Sequence, residues 1–242
     1  MPKSARGQKP PTPGQLRRRK RADSRRLEIL RAAGHVFRKR GFAVAGMRDI
    51  ALAADLSSAN LYHYFHGKDE ILFYCQDASL DRLLNHLETA TQGHGPVLDR
   101  LRTLAVAHVL CLLDEAYGFA AHMEVDALPA PLRDTIVAKR DVYEKGVRAL
   151  VEAGIRRSEI RRADPVLATR ALLGSLNWTA RWFRSDGPVS AQTVADAIAD
   201  FIVTGLGGDT RALGTARRSD APPRTATRTT SRAGVARIVV ES

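Results

Sequence analysis

Residues 47–72 read MRDIALAADLSSANLYHYFHGKDEIL, and this stretch decides the fold. Met47, Ile50, Ala51 and Ala54 recur at i, i+3, i+4 and i+7, the spacing of one apolar helix face. Asp55-Leu56 makes a tight turn, and Ser57 stands where an N-cap is wanted. A second short helix over about 58–64 follows, with Leu61 and Phe65 turned inward, and Gly67 breaks it. Two short helices joined by a three-residue turn have helix-turn-helix proportions. The second presents Ser58, Ala59, Asn60, Tyr62 and His63 outward. These are small or hydrogen-bonding side chains, suited to a helix lying in a major groove. A solvated surface helix is the bland alternative. Tyr62-His63-Tyr64-Phe65 speaks against it, because four aromatic rings are an odd choice for a free surface.

Working outward, Asp23 or Ser24 caps a first helix that runs to about Arg40, with Leu27, Leu30, Ala33, Gly34 and Phe37 on its apolar face. Gly41 ends it. A long helix starts near Lys68 and carries Leu72, Cys75, Leu80, Leu83, Leu84 and Leu87, and 91–96 is a loop. Five more helices are expected, roughly over 97–114, 117–127, 130–154, 164–184 and 190–206. Gly118, Pro129, Gly154, Pro165 and Gly187-Pro188 punctuate them. The expected fold is all-α, with a three-helix N-terminal domain over 23–70 and a helical body over 71–206.

The chain has 242 residues and a formal net charge of +12. Residues 1–22 hold eight basic and no acidic residues, and 207–242 hold seven Arg against three acids, so 23–206 is neutral. Both ends are rich in Gly, Pro, Ser and Thr and lack apolar periodicity, which reads as two disordered basic arms. Such arms favour polyanions. Solubilising tails are the alternative.

No apolar run of about 18 residues exists, so no membrane partner is expected. The N-terminus lacks an apolar segment behind its charges, and Cys75 and Cys111 are isolated, so a reducing cytoplasm is the simpler reading. A glycine-rich phosphate loop, GxSxG and HExxH are all missing. His122, Glu124 and Asp126 lie close in sequence, but neighbours at i and i+2 point to different sides of a helix. No metal, cofactor or catalytic set is expected.

The last two helices differ from the rest. Residues 166–183 are apolar nearly all round, and the final helix places Val194, Ala197, Ile198, Phe201, Ile202 and Gly205 at 3–4 spacing. A helix apolar on more than one face needs extra cover. That cover is either a second copy, making a homodimer, or the centre of a monomeric core.

Gly41-Phe42, Met47-Arg48-Asp49-Ile50-Ala51 and Leu61-Tyr62-His63-Tyr64-Phe65-His66-Gly67-Lys68-Asp69-Glu70-Ile71-Leu72 together resemble the DNA-binding domain of TetR/AcrR-type transcriptional regulators, over about 25–75. The resemblance implies an all-α homodimer with an N-terminal reader and a C-terminal ligand-binding and dimerisation domain. It implies a repressor that a small-molecule effector releases from a palindromic double-stranded operator. By position, Arg48, Ser57, Tyr62 and Lys68 would hold phosphates, while Ser58, Ala59, Asn60 and His63 would face base edges. Three departures stand out. Ala45 and Gly46 replace the usual hydroxyl residue before the second helix, so backbone amides alone would serve there, costing about 0.5–1 kcal/mol at most. Asp55 replaces the usual turn glycine and would sit in the left-handed region at modest cost. Ser58, Ala59 and Asn60 replace the family's frequent basic residue and Gly-Thr, which leaves the operator sequence open.

The region 150–206, through Glu152-Ala153-Gly154-Ile155, Leu176-Asn177-Trp178-Thr179-Ala180-Arg181-Trp182-Phe183-Arg184 and Gly187-Pro188-Val189-Ser190, looks like the subgroup that controls lipid, steroid or acyl-chain catabolism and often senses acyl-CoA. Trp178, Trp182, Tyr117, Phe119 and Met123 would then line an apolar tunnel. Arg156, Arg157, Arg161, Arg162, Arg181 and Arg184 would supply cations for a CoA phosphate. Aromatic core plus solvated arginines is the alternative. In this reading ligand moves the long fourth helix, pivoting Lys68 and the reader. Two rival functions remain open on sequence alone: a helical-bundle lipid carrier or enzyme without DNA binding, and a ligand-independent DNA-binding activator.

Overall fold

A computed structural model describes residues 12–114 and 125–207. Among them lie eight α-helices and one 3-10 turn, Val125–Ala127. The N-terminal domain is α1 (Pro13–Arg40), α2 (Met47–Ala53) and α3 (Ser58–Tyr62). The body is α4 (Lys68–Gln92), α5 (Val97–Leu113), α6 (Ala130–Arg156), α7 (Pro165–Trp182) and α8 (Ala191–Gly207). The all-α expectation holds. Of the helix expected over 117–127, only the 3-10 turn at its end falls within the described residues.

One boundary is corrected. α1 begins at Pro13, not at Asp23 or Ser24. Thr12 caps it: its hydroxyl accepts from the Gln15 N–H, and the Gln15 side chain accepts from the Thr12 N–H at 2.8 Å. Proline at the first helical position adds a preset φ. The basic stretch that follows is therefore helical, with Arg17, Arg18, Lys20 and Arg21 exposed along it. Only residues 1–11 of the expected arm, and 208–242 of the tail, lie outside the described residues. At its other end α1 stops at Gly41, whose φ of 78° suits glycine.

α5 is the centre of the body and packs against α4, α6, α7 and α8. Val97, Leu101, Leu104, Ala105, Val109 and Leu112 bury its length. α4 meets α6 closely at Gly146, where a Cβ would fall 2.3 Å from Leu87 Cδ2. Ion pairs staple the helices at their rims: Arg102 to Asp196 and Asp200 at 3.1 and 2.6 Å, and Lys139 to Asp77 and Asp81 at 2.5 and 2.6 Å. Cys75 and Cys111 are both buried, and neither is in a disulfide. Burial, with Asp114 nearby, pushes the Cys75 thiol up to about 12, so it stays protonated and inert. Among the described residues no helix is long and apolar enough to cross a membrane.

α7 is not buried all round. Thr169, Leu172, Leu176 and Thr179 face the core, while Leu167, Trp178 and Trp182 are exposed. On α8, Val194, Ala195, Ala199, Ile202 and Leu206 are buried, and Phe201 is 80% exposed.

Candidate DNA-reading surface and effector cavity

α1 supports the reader through Ile29, Leu30, Ala33, Val36 and Phe37, with the Phe37 and Phe42 rings 5.1 Å apart. α2 buries Ile50 and Ala51 against this face. Gly46 caps α2, but not with backbone amides alone. The Asp49 carboxylate reaches back to accept from the Gly46 N–H at 3.1 Å, and Arg40 holds that carboxylate at 2.6 Å. An acid in the first turn also favours the positive end of the helix.

The turn is built as the sequence suggests. Asp55 has φ 52°, in the left-handed region. Its N–H donates to the Leu52 carbonyl at 3.2 Å, and the Leu56 N–H reaches the Ala51 carbonyl at 2.9 Å, which is the Schellman arrangement. Arg25 donates to the Asp55 carbonyl at 3.2 Å, fixing the turn to α1. Ser57 then caps α3, its hydroxyl accepting from the Asn60 N–H at 3.2 Å. Leu61 and Phe65 anchor the helix inward. Ser58, Ala59, Asn60, Tyr62 and His63 are exposed, as the sequence suggests, while Ser57 and Arg48 at their edge are less than fully open. These seven include no acidic side chain.

Lys68 departs from its expected role. Its ammonium donates to the carbonyls of Phe42, Ala43 and Ala45 at 2.9, 3.0 and 3.1 Å. It also lies 4.8 Å from the centre of the Phe42 ring. Lysine has three N–H donors, and all three are engaged. The ammonium is therefore a clamp that ties the start of α4 to the α1–α2 turn, not a phosphate ligand.

The body holds a cavity of about 380 Å³ between α4, α5, α6 and α7. Leu80, Leu83 and Leu173 form its apolar wall, and Arg140, Arg181 and Glu144 bring charge to it. Its floor is polar. His108 is buried on α5, with Nδ1 2.9 Å from the Tyr143 hydroxyl and Nε2 3.0 Å from Asn177 Oδ1. A carbonyl oxygen only accepts, so Nε2 carries the proton and Nδ1 accepts from Tyr143. Burial pulls His108 down to about 4, against a smaller opposing effect of the Asn177 bond, so the imidazole is neutral. Burial likewise pushes the Tyr143 phenol above its usual range. With the Asn177 oxygen on His108, its amide nitrogen is the group that can donate to a cavity occupant. Burial also lowers Arg140, with Asp126 opposing the shift.

The expected tunnel residues divide. Trp178 lines this cavity but is 64% exposed, at the rim. Trp182 is 48% exposed and is not part of the cavity wall, because it falls on the outer face of α7. Arg181 lines the cavity. Arg184 is in a second cavity of about 310 Å³ that begins where the first ends. Arg156, Arg157, Arg161 and Arg162 line neither, since they precede α7, while the cavity residues sit on its second half. Tyr117, Phe119 and Met123 lie outside the described residues, as do His122 and Glu124. Among the described residues no three His, Cys, Asp or Glu side chains gather as metal ligands. His108, Arg140, Tyr143 and Asn177 are site residues that sequence reasoning misses. The one local signal is a lone histidine in the otherwise apolar run of α5.

Two family models match this chain: bacterial regulatory proteins of the tetR family over 29–75, and the tetracyclin repressor-like C-terminal domain over 94–206. The HTH-type transcriptional repressor KstR2 of Rhodococcus jostii is 30% identical over 189 residues, which covers 75% of this chain and 91% of that protein. The crystal structure of the TetR family transcriptional regulator PfmR from Thermus thermophilus is 35% identical, with a TM-score of 0.66, covering 74% of this chain and 98% of that one. The ketosteroid transcriptional regulator KstR2 of Mycobacterium tuberculosis is 26% identical with a TM-score of 0.69, covering 76% and 96%. These relatives are regulators of transcription, not enzymes. With its reader, its helical body and matches along both, the chain belongs to the TetR family of bacterial transcriptional regulators.

Proposed function

We propose that this regulator is a dimeric repressor that reads a palindromic operator with α3 and leaves it when an anionic, apolar-bodied effector, an acyl-CoA thioester, fills the cavity. The observation that carries this reading is the cavity itself. It joins an apolar wall to a neutral hydrogen-bonding floor and an arginine rim, and two leucines of its wall belong to α4. Such a site fits a thioester: leucines for the acyl body, the Asn177 amide for the carbonyl, and Arg181 toward the phosphates. The relatives named as a repressor and as a ketosteroid regulator favour the same direction.

Arg48, Ser57 and Tyr62 hold phosphates in this account, and Ser58, Ala59, Asn60 and His63 meet base edges. Asn60→Ala and His63→Ala each change the preferred base at one half-site position, at a cost of about 1–3 kcal/mol for the original sequence. Selection of bound sequences from a randomised pool checks this. The basic terminal residues, including the exposed start of α1, add phosphate contacts without reading sequence.

Leu167 and Phe201 border an apolar groove between α7 and α8 that a second copy covers, making the dimer. Lys68 and Leu80 are about 18 Å apart along α4. A ligand that displaces the α4 wall therefore moves the clamp, and with it the spacing of the two α3 helices. Release is a population shift, and its extent equals the effector's differential affinity for the two shapes. A DNA-release titration at fixed salt compares decanoic acid, free CoA, decanoyl-CoA and a ring-bearing acyl-CoA. At least one thioester releases the protein at a concentration lower by roughly tenfold or more than either half alone, which is about 1.4 kcal/mol of added complementarity. Equal potency of the free acid would remove CoA from the account.

A further inference from the structure

The two cavities of the body share walls. Ala180 and Arg181 line both, so one continuous path runs from the leucine-lined chamber into the second. The second chamber is closed on one side by Leu112, Leu113 and Asp114 at the end of α5, and on another by Phe183 and Arg184 just past α7. Its remaining wall is Arg38, a residue of the reader's first helix. We propose that Arg38 is part of the effector site: with Arg181 it holds the effector's phosphate-bearing end at the junction of reader and body, and so reports occupancy to the reader directly. This rests on the reading of the effector as an apolar-bodied anion.

Charge supports it. Arg38, Arg181 and Arg184 face the chamber against a single carboxylate, Asp114. That carboxylate is paired with Arg82 at 3.1 Å. Arg184 is paired with Asp186 at 3.0 Å, beyond the end of α7. Arg181, shared with the first chamber, and Arg38, on the reader's side, are the cations that bracket the path. Size supports it too. A volume of 310 Å³ is far more than a lone carboxylate fills, since one water takes about 30 Å³ of the liquid. A diphosphate or nucleotide end fits that space and charge, and arginine forks suit phosphate oxygens.

Position gives the junction its consequence. Arg38 is in the last turn of α1, close to Gly41 and Phe42. The Phe42 carbonyl is one of the three that Lys68 grips. A pull on Arg38 and a displacement of α4 thus converge on one turn, the turn that sets the start of α2. The first chamber supplies the binding of the effector's body, and Arg38 supplies a second route by which that binding is felt.

The test uses the full-length protein, an operator fragment and decanoyl-CoA as probe. Wild type, Arg38→Gln and Arg38→Lys are compared for operator affinity without effector, for calorimetric affinity of the free protein for decanoyl-CoA, and for the concentration that releases DNA. For Arg38→Gln, operator affinity stays within about twofold of wild type. Its decanoyl-CoA affinity falls severalfold, and the release concentration rises by roughly fivefold more than that loss explains, a coupling change of about 1 kcal/mol. Arg38→Lys recovers part of the affinity and less of the coupling. If Arg38→Gln binds probe and releases DNA as wild type does, the proposal is overturned while the effector reading stands. Loss of operator affinity in the absence of probe also overturns it, because Arg38 would then act on DNA or on the fold. If the wild-type protein answers to decanoic acid as well as to the thioester, the effector reading itself fails, and this inference falls with it.

Discussion

Lys68→Met lowers operator affinity by about ten- to a hundredfold, yet leaves the slope of log affinity against log salt as it is in wild type. The ammonium donates to three backbone carbonyls of the α1–α2 turn, and each such charge-assisted bond is worth about 1.5–3 kcal/mol before rehydration of the freed carbonyls. Losing the set costs about 2–3 kcal/mol of stability, since the site is only partly buried and water replaces some of it. The DNA loss follows from a misplaced reader. A phosphate ligand behaves otherwise: its removal flattens the salt slope by about 0.9 for each contact and spares stability. Arginine does not rescue the variant, because a planar fork does not fit a point at which three carbonyls converge. Urea melts and anisotropy at several salt concentrations separate the two cases. A flattened slope with unchanged stability would return Lys68 to the phosphate backbone.

Acid weakens the protein through His108. The unfolded histidine takes up its proton near the ordinary value, about 6.5, whereas the buried one resists until about 4. Between those values the unfolded chain binds more protons, so stability falls as pH falls. The loss from this group is about 2 kcal/mol at pH 5 and about 3 kcal/mol at pH 4, and it is absent above about pH 7. Carboxylates add their own dependence, so the difference between wild type and His108→Asn is the quantity to measure. The variant is less stable at neutral pH, because Tyr143 loses its acceptor, and its stability declines less steeply between about pH 6.5 and pH 4. Parallel curves would mean that the imidazole is already protonated in the fold, and the polar floor of the cavity would need redrawing. Effector affinity follows the same window, since protonation of His108 breaks the Tyr143 bond that positions the ring.

What is legible in the sequence is local. Gly41, Asp55, Ser57 and Gly67 each mark a helix boundary through their own backbone preference, and the helices stop or start at or beside each of them. The outward face of α3 is legible for the same reason, since Leu61 and Phe65 are the buried apolar residues at its inward positions. The start of α1 is not. Its signals, Thr12, Pro13 and Gln15, sit in a basic stretch without apolar periodicity, and a helix supported by capping and propensity needs no apolar face. Lys68 is misread from sequence because its partners are backbone carbonyls 23 to 26 residues upstream, which no pattern of residue types displays. The His108 floor has the same cause, with partners 35 and 69 residues away. Trp178 and Trp182 read as tunnel residues because an all-round apolar helix does not tell its inner face from the face it offers to another chain. Their exposure favours the outer face, with Trp178 at the rim between the two.

The central claim is that two copies of this chain read one palindrome with α3. Protein mixed with sheared genomic DNA protects fragments, and sequencing these gives the site. The mass of the complex on the recovered site is then measured by sedimentation. The account predicts an inverted repeat whose half-sites lie on one face of the duplex, bound by an even number of chains, with protection lost in a variant carrying both Asn60→Ala and His63→Ala. A single chain bound to a site without inverted symmetry, or protection unchanged in that double variant, would contradict it.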